Sequence, residues 1–317
     1  MARIGDDLAV YKMMWLIRRF ELQCEVMYRQ QQIGGFCHLG IGQEAVMTGI
    51  VNAMDEKDSL ITAYRAHGYC LAFGMSVIAA LGELMGKAIG CSRGKGGSMH
   101  MFYKEKNFFG GHGIVGAHVP VGAGIALSNK LQNKNAVSIV CYGDGAANQG
   151  QVFETQNMAA LWNLPVLFVI ENNGYAMGTS QKRACAGGEL YKRSKPFGIN
   201  GEIIDGMDYH VIYNKISKIL DKIKQTQQPY VIELNTYRYK GHSVSDPAKY
   251  RSREELNSVK QDRDPIEKLK QSLLKKNSLE KLQKIEKHVK EEITTAYQKC
   301  LDAPEPKLSE VYTDVVL

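Results

Sequence analysis

Two short apolar runs near the middle of the chain constrain its fold more than any other feature. Val-Ser-Ile-Val-Cys-Tyr-Gly-Asp-Gly at 137–145 and Pro-Val-Leu-Phe-Val-Ile-Glu-Asn-Asn-Gly-Tyr at 165–175 each end in oxygen-bearing side chains. Between them, Asn148 to Leu164 carries Val152, Phe153, Met158, Ala159, Leu161 and Trp162 at helical spacing. Strand, helix and strand in this order make a parallel crossover unit, which brings Asp144 and Asn173 to the carboxyl edge of one sheet. Open α/β sheets bind ligands along that edge. A carboxylate and an amide oxygen there, with Gly145, Ala146 and Ala147 opening the helix, suit a divalent cation bound to a phosphate. Mg2+ takes hard oxygen ligands, few of them from protein, and a helix start turns unpaired N–H groups towards the anion. Singly, Gly-Asp-Gly and Asn-Gly are ordinary turn compositions. Their placement at the two ends of one crossover favours metal ligation.

The 317 residues, 44% of them hydrophobic, are enough to bury a full α/β core. The expected organisation is a single domain over 1–317: a parallel sheet flanked by helices, with its core at about 11–253 and C-terminal helices at about 264–302. Helices are expected over 1–34, 43–54, 76–89 and 209–226, and a strand over 230–237. Asp264-Pro265 signals another helix start. The stretch from Gly90 to Gly124 is glycine-dense, polar and aperiodic, as functional loops are. The net charge of +7 sits largely in a lysine-rich tail. Its Leu269, Leu273, Leu282, Ile285 and Val289 mark amphipathic helices with a solvated charged face, so no nucleic-acid partner is expected. The seven cysteines show no metal spacing and read as reduced structural thiols. No apolar run reaches membrane-spanning length, and no signal-peptide pattern appears. The expected location is bacterial cytoplasm, or the mitochondrial matrix after presequence removal.

Other motifs bear on the site. Tyr64 and Arg65 follow the apolar Leu60-Ile61, where a strand should end, and an arginine fork there suits a phosphate. Gly111-x-Gly113-x-x-Gly116 matches the dinucleotide fingerprint by letter. The charged and aromatic residues 104–109 suggest no strand before it, and no acidic residue ends the next strand at the usual spacing. These glycines read instead as places of close backbone approach. Among the histidines, His112 and His118 carry no assignment.

The motifs together resemble the α subunits of thiamine diphosphate-dependent dehydrogenases of the pyruvate dehydrogenase type. Gly-Phe-Cys-His-Leu (35–39), Gly-Gln-Glu (42–44), Tyr-Arg-Ala-His-Gly (64–68), Gly-Lys-Gly-Gly-Ser-Met-His-Met (94–101), Gly-Ile-Val-Gly-Ala (113–117), Gly-Asp-Gly-Ala-Ala-Asn-Gln-Gly (143–150) and Tyr-Arg-Tyr-Lys-Gly-His-Ser (237–243) carry the resemblance. It implies thiamine diphosphate and Mg2+ as cofactors, with Asp144, Asn173 and the Tyr175 carbonyl as metal ligands. Gly145 and Ala146 would meet the diphosphate, with Tyr64, Arg65 and His242 assisting. The backbone of Gly113, Ile114 and Val115 would meet the aminopyrimidine. His38 and His242 would stand as catalytic groups over the reacting carbon, with His67 and His100 weaker candidates. The implied activity is oxidative decarboxylation of pyruvate with transfer of the acetyl unit to lipoyl groups of a dihydrolipoyl acetyltransferase. Enzymes of this kind use two related domains and this chain has room for one, so a β subunit in an α2β2 assembly would supply the glutamate that activates the cofactor. Acetoin or branched-chain 2-oxo acids are the alternative substrates, and a nicotinamide oxidoreductase is the alternative class. The loop at 239–253 reads as a gate. Ser243 matches a serine that is phosphorylated in eukaryotic relatives, but Lys249 replaces a second such serine, so kinase control is not expected.

Overall fold

The structure, a computed structural model, describes residues 6–314. Its frame is a six-stranded sheet in which every pairing is parallel. In chain order the strands are β1 (Ser59–Ala63), β2 (Phe108–His112), β3 (Ser138–Gly143), β4 (Val166–Asn172), the short antiparallel hairpin β5 (Tyr175–Ala176) and β6 (Thr179–Ser180), then β7 (Asn200–Asp205) and β8 (Tyr230–Asn235). The spatial order in the main sheet is β2-β1-β3-β4-β8-β7. Strands β3 and β4 are buried almost throughout. They read as continuous apolar runs because helices cover both faces. Their side chains alternate accordingly. Ile139, Cys141, Leu167 and Val169 enter one core, and Val140, Tyr142, Phe168 and Ile170 enter the other.

One face carries α1 (Asp7–Arg29), α2 (Glu44–Ala53), α3 (His67–Ala72), α4 (Val77–Leu84) and, further along the chain, α8 (Tyr209–Thr226). The other face carries α5 (His118–Leu131) and α6 (Gly150–Leu161). A short α7 (Gln181–Ala184) follows the hairpin. Three more α-helices follow, α9 (Arg253–Arg263), α10 (Pro265–Leu274) and α11 (Leu279–Leu301), and then a 3-10 turn at Leu308–Tyr312. Asp264 caps α10 by accepting the Ile266 and Glu267 N–H groups, with Pro265 at the first helical position. The Leu282, Val289, Ile293, Ala296 and Cys300 stripe of α11 is buried against the core that α1 and α4 share.

The α/β class, the crossover at 137–175 and the helix at 209–226 match expectation. The N-terminal helix starts and ends inside the expected 1–34. Residues 90–124 depart most. Phe108–His112 is an edge strand parallel to β1, and α5 begins at His118. The strand escaped notice because Gly110 and Gly111 have little strand preference. A strand therefore does precede the Gly111 fingerprint. Its crossover through α5 nevertheless lands on β3, beyond the neighbouring β1, and so does not build the adjacent-strand unit that a dinucleotide needs. Two elements lie where none was expected: β7, just after the polar stretch that ends at Gly198, and α9, between the charged loop and the helix start at Asp264. All seven cysteines are free, six of them buried. Among the described residues, no helix is long and apolar enough to cross a membrane.

Candidate active site

From β1 the chain runs to β2 on one side, and from β3 it runs to β4 on the other. The order therefore reverses between β1 and β3, and a crevice opens outside the carboxyl ends of strands that diverge in this way. Tyr64 and Arg65 leave β1 at that point, Asp144 leaves β3, and Asn173 leaves β4. All four line one cavity of about 280 Å³, together with Gly145, Ala146, Tyr175, Val115 and His242. A second cavity of about 470 Å³ adjoins it through the shared Tyr64, Val115, Met177 and His242, and adds His38, Gly113, Phe36 and Met99. Of the expected cofactor, metal and catalytic residues, Ile114 lines neither, nor do the weaker candidates His67 and His100. The apolar side chain of Ile114 is 76% exposed.

The inner cavity forms an ionic floor. Asp144 is buried, and desolvation pushes its carboxyl up to about 6, against the opposing pull of Arg238. Asn173 is held at the tip of a turn. Its side-chain oxygen accepts the Tyr175 N–H at 3.3 Å, while that of Asn172 accepts the Gly174 N–H at 3.1 Å. Asn172 in turn donates to Glu233 on β8 at 2.6 Å and to Gln181 at 2.9 Å. Gly174 sits at φ +85°, a conformation that only glycine adopts without strain. Gly145 is required by space: a Cβ there would lie 2.6 Å from that of Ala176. The expected helix start at 145–147 is instead a single 3-10 turn, Ala146–Asn148, and α6 begins only at Gly150.

Sequence reasoning missed Arg238. It is 2% exposed, lines the floor, and donates to the Lys240 carbonyl at 3.1 Å, the Tyr175 carbonyl at 3.5 Å and the Tyr250 hydroxyl at 2.9 Å. Arg65 is also buried, with hydrogen bonds to the Leu39 carbonyl at 2.6 Å and the His242 carbonyl at 3.0 Å. Burial, together with the like charge of Arg238, lowers its guanidinium to about 10. Two buried cations that hydrogen-bond to neutral groups call for an anion. The signal was in the sequence: Arg238 follows β8 by three residues, as Arg65 follows β1 by two. Glu171 was missed as well. It lines the same floor, fully desolvated, with its carboxyl raised, and accepts hydrogen bonds from the Tyr69 hydroxyl and, at 3.4 Å, from Gln43.

The mouth is built from rings. His38 and Tyr64 lie 4.3 Å apart by centroid, and His38 and His242 5.1 Å apart. The Tyr64 hydroxyl is 3.4 Å from His242 Nε2. Burial, with Arg65 adding its charge, lowers His38 to about 2 and His242 to about 4. Both imidazoles are therefore neutral near pH 7, and the Nδ1 atom of each is buried without a hydrogen-bond partner among the described residues. His67 and His100 fall outside both cavities. His67 is fully buried behind the mouth, and His100 is exposed beside Gly113. His118 is buried against the Cys141 carbonyl. The 239–253 loop is tied down. Asp246 accepts the His242 N–H at 2.6 Å, the Ala248 N–H at 2.8 Å and the Tyr250 hydroxyl at 2.8 Å.

The donor set fits a divalent cation with a polyphosphate. Asp144, Asn173, Tyr175, Arg65 and Arg238 all line the inner cavity, and His38 and His242, each with an unpartnered ring nitrogen, stand at its mouth. Sheet topology and floor together define a doubly wound α/β protein with a crevice at its switch point, lined by two buried arginines and a buried aspartate. The family profile described as dehydrogenase E1 component matches residues 11–309, and the chain belongs to that family. It is 48% identical over 314 residues to the pyruvate dehydrogenase E1 component subunit alpha of Rhizobium meliloti, covering 98% of this chain and 90% of that one. Its similarity to the subunit of the same name from Zymomonas mobilis is also 48%, over 98% and 88% of the two chains. The somatic mitochondrial form of Bos taurus is 48% identical over 96% of this chain and 78% of its own.

Proposed function

We propose that this chain acts as the α subunit of a pyruvate dehydrogenase E1 component: with a β subunit it decarboxylates pyruvate oxidatively and passes the acetyl unit to lipoyl groups of an acetyltransferase. Membership of the E1 family supports the reaction. The observation that carries the residue roles is the division of one crevice into an ionic floor and a neutral histidine mouth. Thiamine diphosphate, when bound, supplies the carbon nucleophile and the electron sink for decarboxylation. The chain's own part is holding and orienting.

Asp144, Asn173 and the Tyr175 carbonyl hold Mg2+ through oxygen atoms, the ligand type that ion takes. Arg65 and Arg238, both buried, bind the diphosphate with charge-assisted bonds. Binding there removes the repulsion between the two guanidinium groups and supplies Asp144 with a cation. Neutral His38 and His242 can each accept a proton or, in the other tautomer, donate a hydrogen bond to a developing negative charge at the reacting centre. Tyr64, between them, closes one wall.

Two features favour a site shared with a second chain. Among the described residues, the mouth carries no glutamate that could activate an aminopyrimidine. Its rim exposes apolar side chains, with Phe36 60%, Ile114 76% and Met177 64% exposed, as surfaces that meet a partner do. The deciding assay is pyruvate-dependent reduction of an artificial electron acceptor with Mg2+ and thiamine diphosphate. It is run with this chain alone and with its β partner. Turnover only in the mixture is expected; full turnover by this chain alone would overturn the split site.

A further inference from the structure

Behind the mouth lies a buried polar chain that neither cavity touches. Glu21 on α1 and His67 at the start of α3 are both fully buried, with Glu21 Oε2 2.9 Å from His67 Nδ1. The other carboxylate oxygen of Glu21 accepts the Gly40 N–H at 2.8 Å. The other ring nitrogen of His67 meets the Ser98 hydroxyl at 2.8 Å, and Ser98 neighbours the Cys37 thiol. Glu21, Cys24 and His67 place ligand-type atoms within 4.8 Å of one another. Hydrogen bonds already engage both carboxylate oxygens and both ring nitrogens, so the cluster is a relay rather than a metal site.

The two ends of this relay bracket one residue. Cys37 precedes His38, and Gly40 follows it by two. Residues 34–40 form neither helix nor strand, so no backbone ladder sets the direction of the His38 ring. The middle of the relay stands two residues beyond Arg65, which itself holds the Leu39 carbonyl. Its Ser98 end adjoins Met99 in the wall of the mouth. A buried polar cluster of this kind gains little stability over well-packed apolar residues, but it imposes direction.

We propose that Glu21, His67 and Ser98 form a positioning relay that aims His38 into the mouth of the crevice. The proposal rests on the reading of His38 as a group that acts in turnover. None of the three lines either cavity, so they act on the mouth indirectly, through the 37–40 segment that they hold. Misplacing a reacting group by about an ångström costs on the order of a hundredfold in rate. A group that matters only in the transition state lowers kcat and leaves KM.

The test uses the reconstituted α/β enzyme carrying Glu21→Gln, His67→Asn or Ser98→Ala. Glu21→Gln keeps an acceptor for Gly40 but turns an N–H group towards His67. Each variant is expected to lose roughly tenfold to a hundredfold in kcat, with KM for pyruvate and the Kd for thiamine diphosphate held within about twofold. Hydrogen exchange in residues 36–42 should quicken while that of β1 and β3 stays unchanged. A folded variant with wild-type kcat would overturn the proposal, as would a loss of turnover matched by weaker cofactor binding. If Glu21→Gln does not fold, Ser98→Ala decides, because it removes a single hydroxyl. Should the wild-type enzyme not turn over pyruvate, the functional reading falls. The relay is then judged by exchange alone, and unaltered exchange of 36–42 in Ser98→Ala would sink it.

Discussion

The floor and the mouth of the crevice are held in place by different physics. Asp144 and Asn173 each stand one residue beyond strands paired continuously from Ser138 with Val166 to Gly143 with Glu171. Their backbone positions are set by a parallel ladder buried on both faces. His38 and His242 stand on segments without helix or strand. Those segments are held by isolated hydrogen bonds: Glu21 grips Gly40, Asp246 grips His242, and the Cys37 carbonyl accepts the Val244 N–H at 2.9 Å. Floor substitutions should therefore change what binds, and mouth substitutions should change how fast the bound complex reacts.

The largest effect is expected at the floor. Asp144→Ala removes the one carboxylate among the proposed metal ligands, and a catalytic cation contributes several kcal/mol. Turnover should fall on the order of 10³-fold or more, with Mg2+-dependent retention of thiamine diphosphate lost in equilibrium dialysis. Retained cofactor with slowed turnover would erase the distinction between the regions. Arg238→Met comes next. A hydrogen bond to a charged group contributes about 1.5–3 kcal/mol, so the cofactor Kd should rise roughly ten- to a hundredfold. Because Arg238 repels Arg65, the cofactor-free chain should lose little stability in urea.

The same division governs what could be read from the residues. The floor was legible because parallel strands buried on both faces write themselves as Val-Ser-Ile-Val-Cys and Val-Leu-Phe-Val-Ile, and the ligands follow at their ends. Arg238 was missed although it obeys the same rule, because the resemblance drew attention along the motif to His242. Strand β2 was hidden by Gly110 and Gly111, whose place at a sheet edge is decided by tertiary pairing with β1 rather than by local preference. The relay was illegible in principle. Glu21 lies on a helix whose period predicts only that position 21 faces inward. Nothing local says that His67 and Ser98 will meet it from two other segments.

Acid should probe the mouth more gently. His38 and His242 titrate near 2 and 4 in the folded chain, against about 6.5 when unfolded. Between those values the unfolded chain binds protons that the native chain refuses. Their contribution to stability is complete above pH 6.5 and is lost as pH falls towards 4 for His242 and towards 2 for His38. Asp144 works the other way. Its raised value near 6 means that the native chain takes up a proton that the unfolded chain binds only near 3.8. Urea midpoints at pH 7 and pH 5 should therefore fall less in His38→Asn than in wild type, and more in Asp144→Asn. An equal fall in all three would mean that these groups are not desolvated as the structure has them.

The smallest effect tests whether the floor is as stiff as its ladder suggests. Gly174→Ala places a Cβ in open space, since no heavy atom lies within 4 Å of that position, so its cost is conformational alone. At φ +85° that cost is about 1 kcal/mol or slightly more. If the β4 ladder holds Asn173 rigidly, the strain is stored in the turn. Urea stability then drops by about that amount, and cofactor affinity stays within about threefold. If the turn instead relaxes by swinging Asn173 and the Tyr175 carbonyl away from Asp144, stability is spared and the Kd for thiamine diphosphate with Mg2+ rises by tenfold or more. The second result would show that the floor, like the mouth, is aimed by its Asn172–Glu233 and Asn173–Tyr175 hydrogen bonds, and that the ladder ends at Asn172 in mechanics as well as in pairing.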